Sequence, residues 1–393
     1  MDQSRFYRAW CVARDNSLLM VSGAVIALAW ANLDPQGYVQ LSHPLHFIVN
    51  DVAMVFFFGL AMKEIIEAAA PGGALHSVRR AALPVVAAAG GMAGPALIYV
   101  VLAHAAVRPD ILHGWAIPCA TDIAFSYIVI RLIFRPSHSA VPFLLLLAIA
   151  DDALGLALLA AFYPSAPVRV VPFLAIVVVA CGIAWTMRAR NVRSFWPYVA
   201  GAGALSWVGF YLGGIHPALA LVPVLPFVPG PARDPGLYTD SKQPQHDPLN
   251  AFERWWATPV EFVLFLFALT NAGVPLRGAE TTTWIVLVSL LAGKPIGIAV
   301  STLVAERLGL RRPRGLGWRE VIVLGCAAGI GFTVALFFAT AAFPEGATMD
   351  AAKLGALLSV SAAVLALGAA RVLGVDRGGQ LTRGHDSPKH AAS

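Results

Sequence analysis

Four ionisable side chains stand where the surrounding sequence offers them no water. Asp122, the adjacent Asp151 and Asp152, and Lys294 each fall inside a long apolar run. At bilayer depth such a group costs ~2.5–3.5 kcal/mol or more, and those that persist usually mark ion paths or proton relays. Carboxylate oxygens are what a small hard cation takes as ligands, and the same oxygens bind protons once the cation has left. Neighbouring residues on a helix point about 100° apart, so Asp151 and Asp152 cannot both face one partner. One can line a water-filled path while the other meets a packed neighbour such as Lys294. Two carboxylates this close titrate as a coupled pair. A single Asp–Lys pair could equally be a staple between two helices. Three acids, one amine and two interrupted helices together point to function.

The interruptions are written in the segments that carry the charges. Ile117-Pro118-Cys119-Ala120-Thr121-Asp122 puts a proline, which deletes a backbone hydrogen bond, four residues before an acid. Gly325-Cys326-Ala327-Ala328-Gly329-Ile330-Gly331-Phe332-Thr333 carries three glycines in seven residues. Broken helices are tolerated at bilayer depth where they line a cavity, and their ends carry partial charge to that depth. Asp122 would offset two positive helix ends and Lys294 two negative ones.

The rest of the chain must place these elements in lipid. Of its 393 residues 58% are hydrophobic and 13% charged, about half the charge of an average soluble domain. Too few charged side chains remain to cover a water-facing surface, and apolar stretches long enough to cross ~30 Å of hydrocarbon recur throughout. Reading them against the breakers gives twelve helical spans: 17–33, 46–67, 82–106, 114–134, 139–162, 168–186, 195–213, 215–229, 257–275, 283–306, 318–343 and 350–373. No dyad alternation of a β-barrel is present. The fold expected is all-α and polytopic, one transmembrane domain over 1–376 with a disordered tail over 377–393. Residues 34–45 read as a short outer connection and 229–256 as the one long loop. Arg5, Arg8 and Arg14 before the first run resemble a signal peptide, but the many later spans favour an uncleaved helix.

With the N-terminus in the cytoplasm, 23 of the 28 Lys and Arg fall on the cytoplasmic side, as the positive-inside rule requires. Both termini are then cytoplasmic. The net charge of +6 is spread over short loops rather than one basic, aromatic-interleaved face, which argues against nucleic acid. Cys11, Cys119, Cys181 and Cys326 have no CxxC spacing and fit no disulfide or zinc framework. The broken spans are the middle members of two trios, 82–162 and 283–373, which enter the membrane from opposite sides. That is the pattern of an inverted repeat, with two discontinuous helices crossing at mid-membrane.

At these residues the chain resembles the NhaA family of sodium/proton antiporters. The resemblance spans nearly the whole chain. It is carried by Gly114-Trp115-Ala116-Ile117-Pro118, Ala120-Thr121-Asp122-Ile123-Ala124-Phe125 and Leu147-Ala148-Ile149-Ala150-Asp151-Asp152, then by Asn271-Ala272-Gly273-Val274, Gly293-Lys294-Pro295-Ile296-Gly297 and Gly329-Ile330-Gly331-Phe332-Thr333. The resemblance implies electrogenic, pH-dependent exchange of Na+, and of Li+ too, for protons across a bacterial inner membrane, with no cofactor. It implies that Asp151 and Asp152 bind cation and protons, that Thr121 and Asp122 sit at the crossing, and that Lys294 pairs with the first aspartate. Lipid surrounds such a protein, and a homodimer is possible.

The chain also departs from that family. Family members commonly read Gly-Leu-Glu-Val-Lys-Arg-Glu at the end of the second span, whereas here Gly59-Leu60-Ala61-Met62-Lys63-Glu64-Ile65 lacks both glutamates, and Glu64 and Glu67 stand off register. Segment 34–45 is short for the family's dimer-forming hairpin. Glu64, Glu253 and His216 are the candidates for a pH response; His216, matching a family histidine, could equally be a packing residue. Glu261 reads as snorkelling to the interface rather than as a ligand. An intramembrane aspartyl protease using Asp122 and Asp151 leaves Lys294, Asp152 and the second break unexplained. A sodium-coupled carrier of an organic anion would want an uncompensated positive pocket where Asp122 stands.

Overall fold

The computed structural model describes residues 18–76, 78–230 and 247–375. Expectations for Arg5, Arg8, Cys11, Arg14, the side chains of Arg79 and Arg80, residues 231–246 of the long loop and the 377–393 tail lie outside the described residues. Among the described residues all regular structure is helical: α1 (Leu18–Leu33), α2 (Pro35–Ala69), α3 (Val78–Ala105), a 3-10 helix (Pro109–Cys119), α4 (Ile123–Ile133), α5 (Ala140–Phe162), α6 (Val170–Ala189), α7 (Ala204–Gly213), α8 (Pro248–Asn271), α9 (Thr281–Arg307), α10 (Trp318–Ala328), α11 (Phe332–Ala342) and α12 (Ala347–Val372).

Six of these (α2, α3, α5, α6, α9 and α12) are long and apolar enough to cross a membrane. The count rises to eight if each of two bent pairs is one crossing: the 3-10 helix with α4, bent by 53°, and α10 with α11, bent by 50°. At 1.5 Å per residue the 16-residue α1 reaches only ~24 Å, short of the full hydrocarbon thickness. The apolar stretches of α5 and α9 are 56% buried against protein, that of α6 only 17%. Hence α5 and α9 form the middle of the bundle and α6 its rim.

Three segments depart from expectation, and proline decides each. Residues 34–45 are helical. Asp34 accepts a hydrogen bond from Gly37 N at 3.0 Å as the N-cap and Pro35 takes the first helical position, so the helix runs on into the second span. The same Asp-Pro start recurs at Asp247, which caps α8 through Asn250 N at 2.9 Å. The 229–256 loop is therefore shortened, since α8 begins at Pro248. By contrast 215–229 is not a continuous helix. Pro217, Pro223, Pro226 and Pro229 remove four donors in thirteen residues, and short 3-10 turns at Pro217–Leu219 and Leu225–Phe227 result.

The Asn271-Ala272-Gly273 motif turns out to lock helices together. Asn50 and Asn271 exchange side-chain hydrogen bonds of 2.9 and 3.3 Å across two helices. Tyr38 donates to the Thr270 carbonyl at 2.9 Å and accepts from Gly273 N at 3.1 Å.

Candidate ion site at the helix crossing

Both breaks are completed by the opposite strand of the crossing. Where α10 ends, Gly329 and Gly331 release the helix, and Asp122 N donates to Ile330 O at 2.7 Å. Thr121 Oγ1 donates to Ala328 O at 3.1 Å and Ser126 Oγ to Ala327 O at 2.9 Å, which satisfies carbonyls the helix end leaves open. Gly331 N in turn donates to Ser359 Oγ at 3.1 Å. Pro118, buried near the end of the 3-10 helix, closes the other half-helix just before the extended residue Ala120.

Asp122 serves two helices at once. Its Oδ1 accepts from Phe125 N at 3.3 Å, capping α4, while its Oδ2 accepts from Thr333 N at 3.1 Å and Thr333 Oγ1 at 2.5 Å, capping α11. Two positive helix ends therefore converge on one carboxylate, 4% exposed, whose charge they stabilise. Thr333 Oγ1 also touches Met20 Sδ of α1 at 2.8 Å, which ties the first helix to the crossing.

The second charge centre is an ion pair. Lys294 Nζ donates to Asp151 Oδ2 at 2.8 Å, with the two side chains 0% and 1% exposed. Among the described residues this is the one hydrogen bond of that ammonium, so the carbonyl end of α10 is met by Thr121 and Ser126 rather than by Lys294. Lys294 follows a π-helical turn, Ser289–Gly293, where the wider winding re-aims the residues after it. Among the described residues Asp151 Oδ1, which is buried, has no hydrogen-bond partner. Asp152, half-buried, shares with Asp151 a cavity of 20 Å³ lined also by Phe58, Ala120, Val334 and Phe338. A volume of that order holds about one water-sized guest.

Away from the crossing the predicted residues separate. Lys63 Nζ bonds Glu253 and Glu67, each at 2.5 Å, and joins α8 to α2. Glu64 is exposed beside them and is an electrostatic neighbour of Asp152. His216 lies 3.8 Å from Asp51 and 4.7 Å from the Phe337 ring, at the opposite end, where both residues border a cavity of 610 Å³. Phe337 packs on Phe58 at 5.0 Å and Phe338 on Tyr163 at 5.5 Å; Phe58 and Phe338 line the aspartate pocket and Tyr163 lines the larger cavity. Sequence reasoning missed Ser126, Ser359, Met20 and Asp51. Only Asp51 carried a usable signal, as an acid near an apolar span; the others are ordinary until the fold brings their partners near.

Comparison with known proteins bears on the same arrangement. The sequence profile of the family described as Na+/H+ antiporter 1 matches residues 11–370. The Na(+)/H(+) antiporter NhaA 1 of Pelobacter propionicus is 45% identical over 372 residues, which is 93% of this chain and 97% of that protein. The NhaA of Desulfitobacterium hafniense is 45% identical over 370 residues, 92% and 95% of the two chains. The NhaA of Geotalea uraniireducens is 42% identical over 382 residues, 95% and 98%. These relatives are named for transport and not for a chemical reaction, and exchange of two ions needs no cofactor. With both chains covered almost end to end, this chain belongs to the NhaA family of Na+/H+ antiporters.

Proposed function

We propose that the protein exchanges sodium for protons across a membrane by loading Asp151 and Asp152 alternately with cation and protons. The observation that carries this reading is Asp151 Oδ1, a buried carboxylate oxygen without a protein partner. Such an oxygen is stable only when a proton, a water or a cation meets it. The 20 Å³ cavity beside it is too small for a hydrated ion. Sodium would enter largely stripped of water, with carboxylate oxygens replacing its shell. Lithium, smaller and equally hard, would follow the same route.

Lys294 holds Asp151 when sodium is absent, so sodium must displace an ammonium as well as protons. If the displaced ammonium gives up its proton, each cycle moves more proton charge than sodium charge and exchange is electrogenic. If it keeps the proton, Lys294 is a staple. Both carboxylate oxygens of Asp122 are engaged at two helix ends, and on this reading it fixes the crossing rather than carrying ions. Thr121, Pro118, Gly329, Gly331 and Thr333 build the break around it.

The wider arrangement fits a single transmembrane domain of twelve passages with inverted repeats over 82–162 and 283–373. The eighth passage is made by the proline-rich turns of 215–229. We place the protein in the bacterial inner membrane, surrounded by lipid, with both termini in the cytoplasm, on the charge asymmetry of its loops. The ring layer of Phe58, Phe337, Phe338 and Tyr163 would close the outer side in the conformation described, leaving entry from the side of Lys63 and Glu64. The Lys63–Glu67–Glu253 cluster, Glu64 and His216 are the groups we assign to pH dependence. A homodimer would use a surface other than a hairpin, since 34–45 is helical.

The test is fluorescence dequenching in inverted membrane vesicles with Na+, Li+ or K+ added across pH. The parent should release protons on addition of Na+ and Li+. Asp151→Asn and Asp152→Asn should each abolish release while the protein still accumulates in the membrane. Exchange at the parental rate by either variant would remove that carboxylate from the site.

A further inference from the structure

The turn of α9 that carries Lys294 is gripped by glycines on two sides. Gly90 and Gly94 stand four residues apart on α3, and Gly293 and Gly297 four apart on α9. The two pairs face each other. A Cβ at Gly94 would lie 2.8 Å from Gly297 Cα and closer still to Gly293 O. One at Gly293 would lie 2.5 Å from Pro95 Cα, and one at Gly297 2.1 Å from Gly90 O. These obstacles are backbone, which cannot rotate aside. The helices therefore touch main chain to main chain, as small residues spaced by four permit in membranes. Across α9, a Cβ at Gly325 of α10 would lie 2.6 Å from Pro295 Cα. Residues 293, 295 and 297 are thus all held, with Lys294 between them.

We infer that the Gly90/Gly94–Gly293/Gly297 crossing is a positioning device that sets sodium affinity by holding the Lys294 ammonium on Asp151. This rests on the proposed exchange at Asp151 and Asp152. Lys294 is the resident competitor for Asp151 Oδ2, and the tighter its 2.8 Å bond, the more sodium is needed to displace it. A charge-assisted hydrogen bond is short and directional. Moving α9 outward to admit one methyl group lengthens and tilts that bond without removing either charge. The sign of the effect is unusual. Damage to a transporter ordinarily raises KM or leaves it alone, whereas loosening this grip lowers the KM for sodium even as the maximum rate falls.

The experiment measures sodium-driven proton movement by purified protein in proteoliposomes, at several sodium concentrations and pH values. Gly94→Ala should lower the sodium KM on the order of threefold to tenfold, the equivalent of losing part of one charged hydrogen bond. Gly91→Ala meets the Ile298 side chain at 2.9 Å rather than backbone, and should shift KM in the same direction by less. It also serves if Gly94→Ala fails to fold. Gly368→Ala, with nothing within 4 Å of its new Cβ, should match the parent. In a Lys294→Gln background the Gly94→Ala shift should vanish, because the competitor is gone; a merely structural defect would persist there. An unchanged or raised KM in both Gly91→Ala and Gly94→Ala, or a shift that survives Lys294→Gln, overturns the inference. A parent that does not couple sodium to protons at all overturns instead the functional reading beneath it.

Discussion

Removing the Lys294 ammonium should cost more stability than removing the whole ion pair. The two side chains are at most 1% exposed and 2.8 Å apart. Lys294→Gln leaves the Asp151 carboxylate buried with a neutral partner, and an uncompensated charge at such burial costs about 3–5 kcal/mol. For a chain of this size each kcal/mol corresponds to about 1.2 °C in Tm, so the expected fall is about 4–6 °C. Asp151→Asn strands the ammonium and should fall by a similar amount. The double variant Asp151→Asn/Lys294→Gln carries no charge, and its two amides can still bond. Its loss should be smaller than that of Lys294→Gln alone, so the two single losses are far from additive. The assay is thermal unfolding of the four proteins in one detergent at one pH. A Lys294→Gln protein melting within about 1 °C of the parent, or a double variant that loses as much as Lys294→Gln alone, would refute a closed, charged pair at this position.

Other consequences are simpler to check. Because cation and protons share the dyad's oxygens on the proposed reading, apparent sodium affinity should fall as pH falls, by up to about tenfold per unit for each competing proton; a titration flat from pH 6 to 9 points to separate sites. Thr333→Val keeps the shape of the side chain but deletes the 2.5 Å hydroxyl bond to Asp122, and should cost about 1.5–3 kcal/mol in thermal unfolding. A loss below that of an exposed substitution would mean the hydroxyl is not holding the crossing. Lys63→Met breaks a cluster whose Glu253 side chain is 45% exposed, so its stability loss should stay near 1 kcal/mol while the pH profile of exchange shifts. A large melting loss with an unmoved profile would make the cluster structural.

Much of this protein was legible before any fold was known. Apolar length against ~30 Å of lipid, the sparse charge and the loop arginines determine a polytopic helical membrane protein, because lipid forces every backbone group into local helix. The proline before Asp122 and the glycines around Ile330 mark both breaks, since each acts on its own neighbourhood of chain. That Lys294 meets only one of Asp151 and Asp152 also agrees with helical periodicity. Proline also misled where its meaning depends on position. Asp34-Pro35 and Asp247-Pro248 start helices inside segments that read as connections, whereas four prolines dissolve the helix expected over 215–229.

Only the tertiary structure decided who meets whom. Thr333 reaches Asp122 across 211 residues and Ser126 reaches Ala327 across 201, whereas the Lys294–Asp151 pair, 143 residues apart, is the one the family resemblance implied. No local pattern records such pairings, because they depend on the relative placement of helices that are each complete in their own backbone bonding. That is why a serine at a helix end and a methionine in the first helix looked ordinary in the sequence, and why the partners of Gly293 and Gly297 could not be read from their motif. Their significance arises where main chain meets main chain at the crossing, at distances that side-chain chemistry alone does not set.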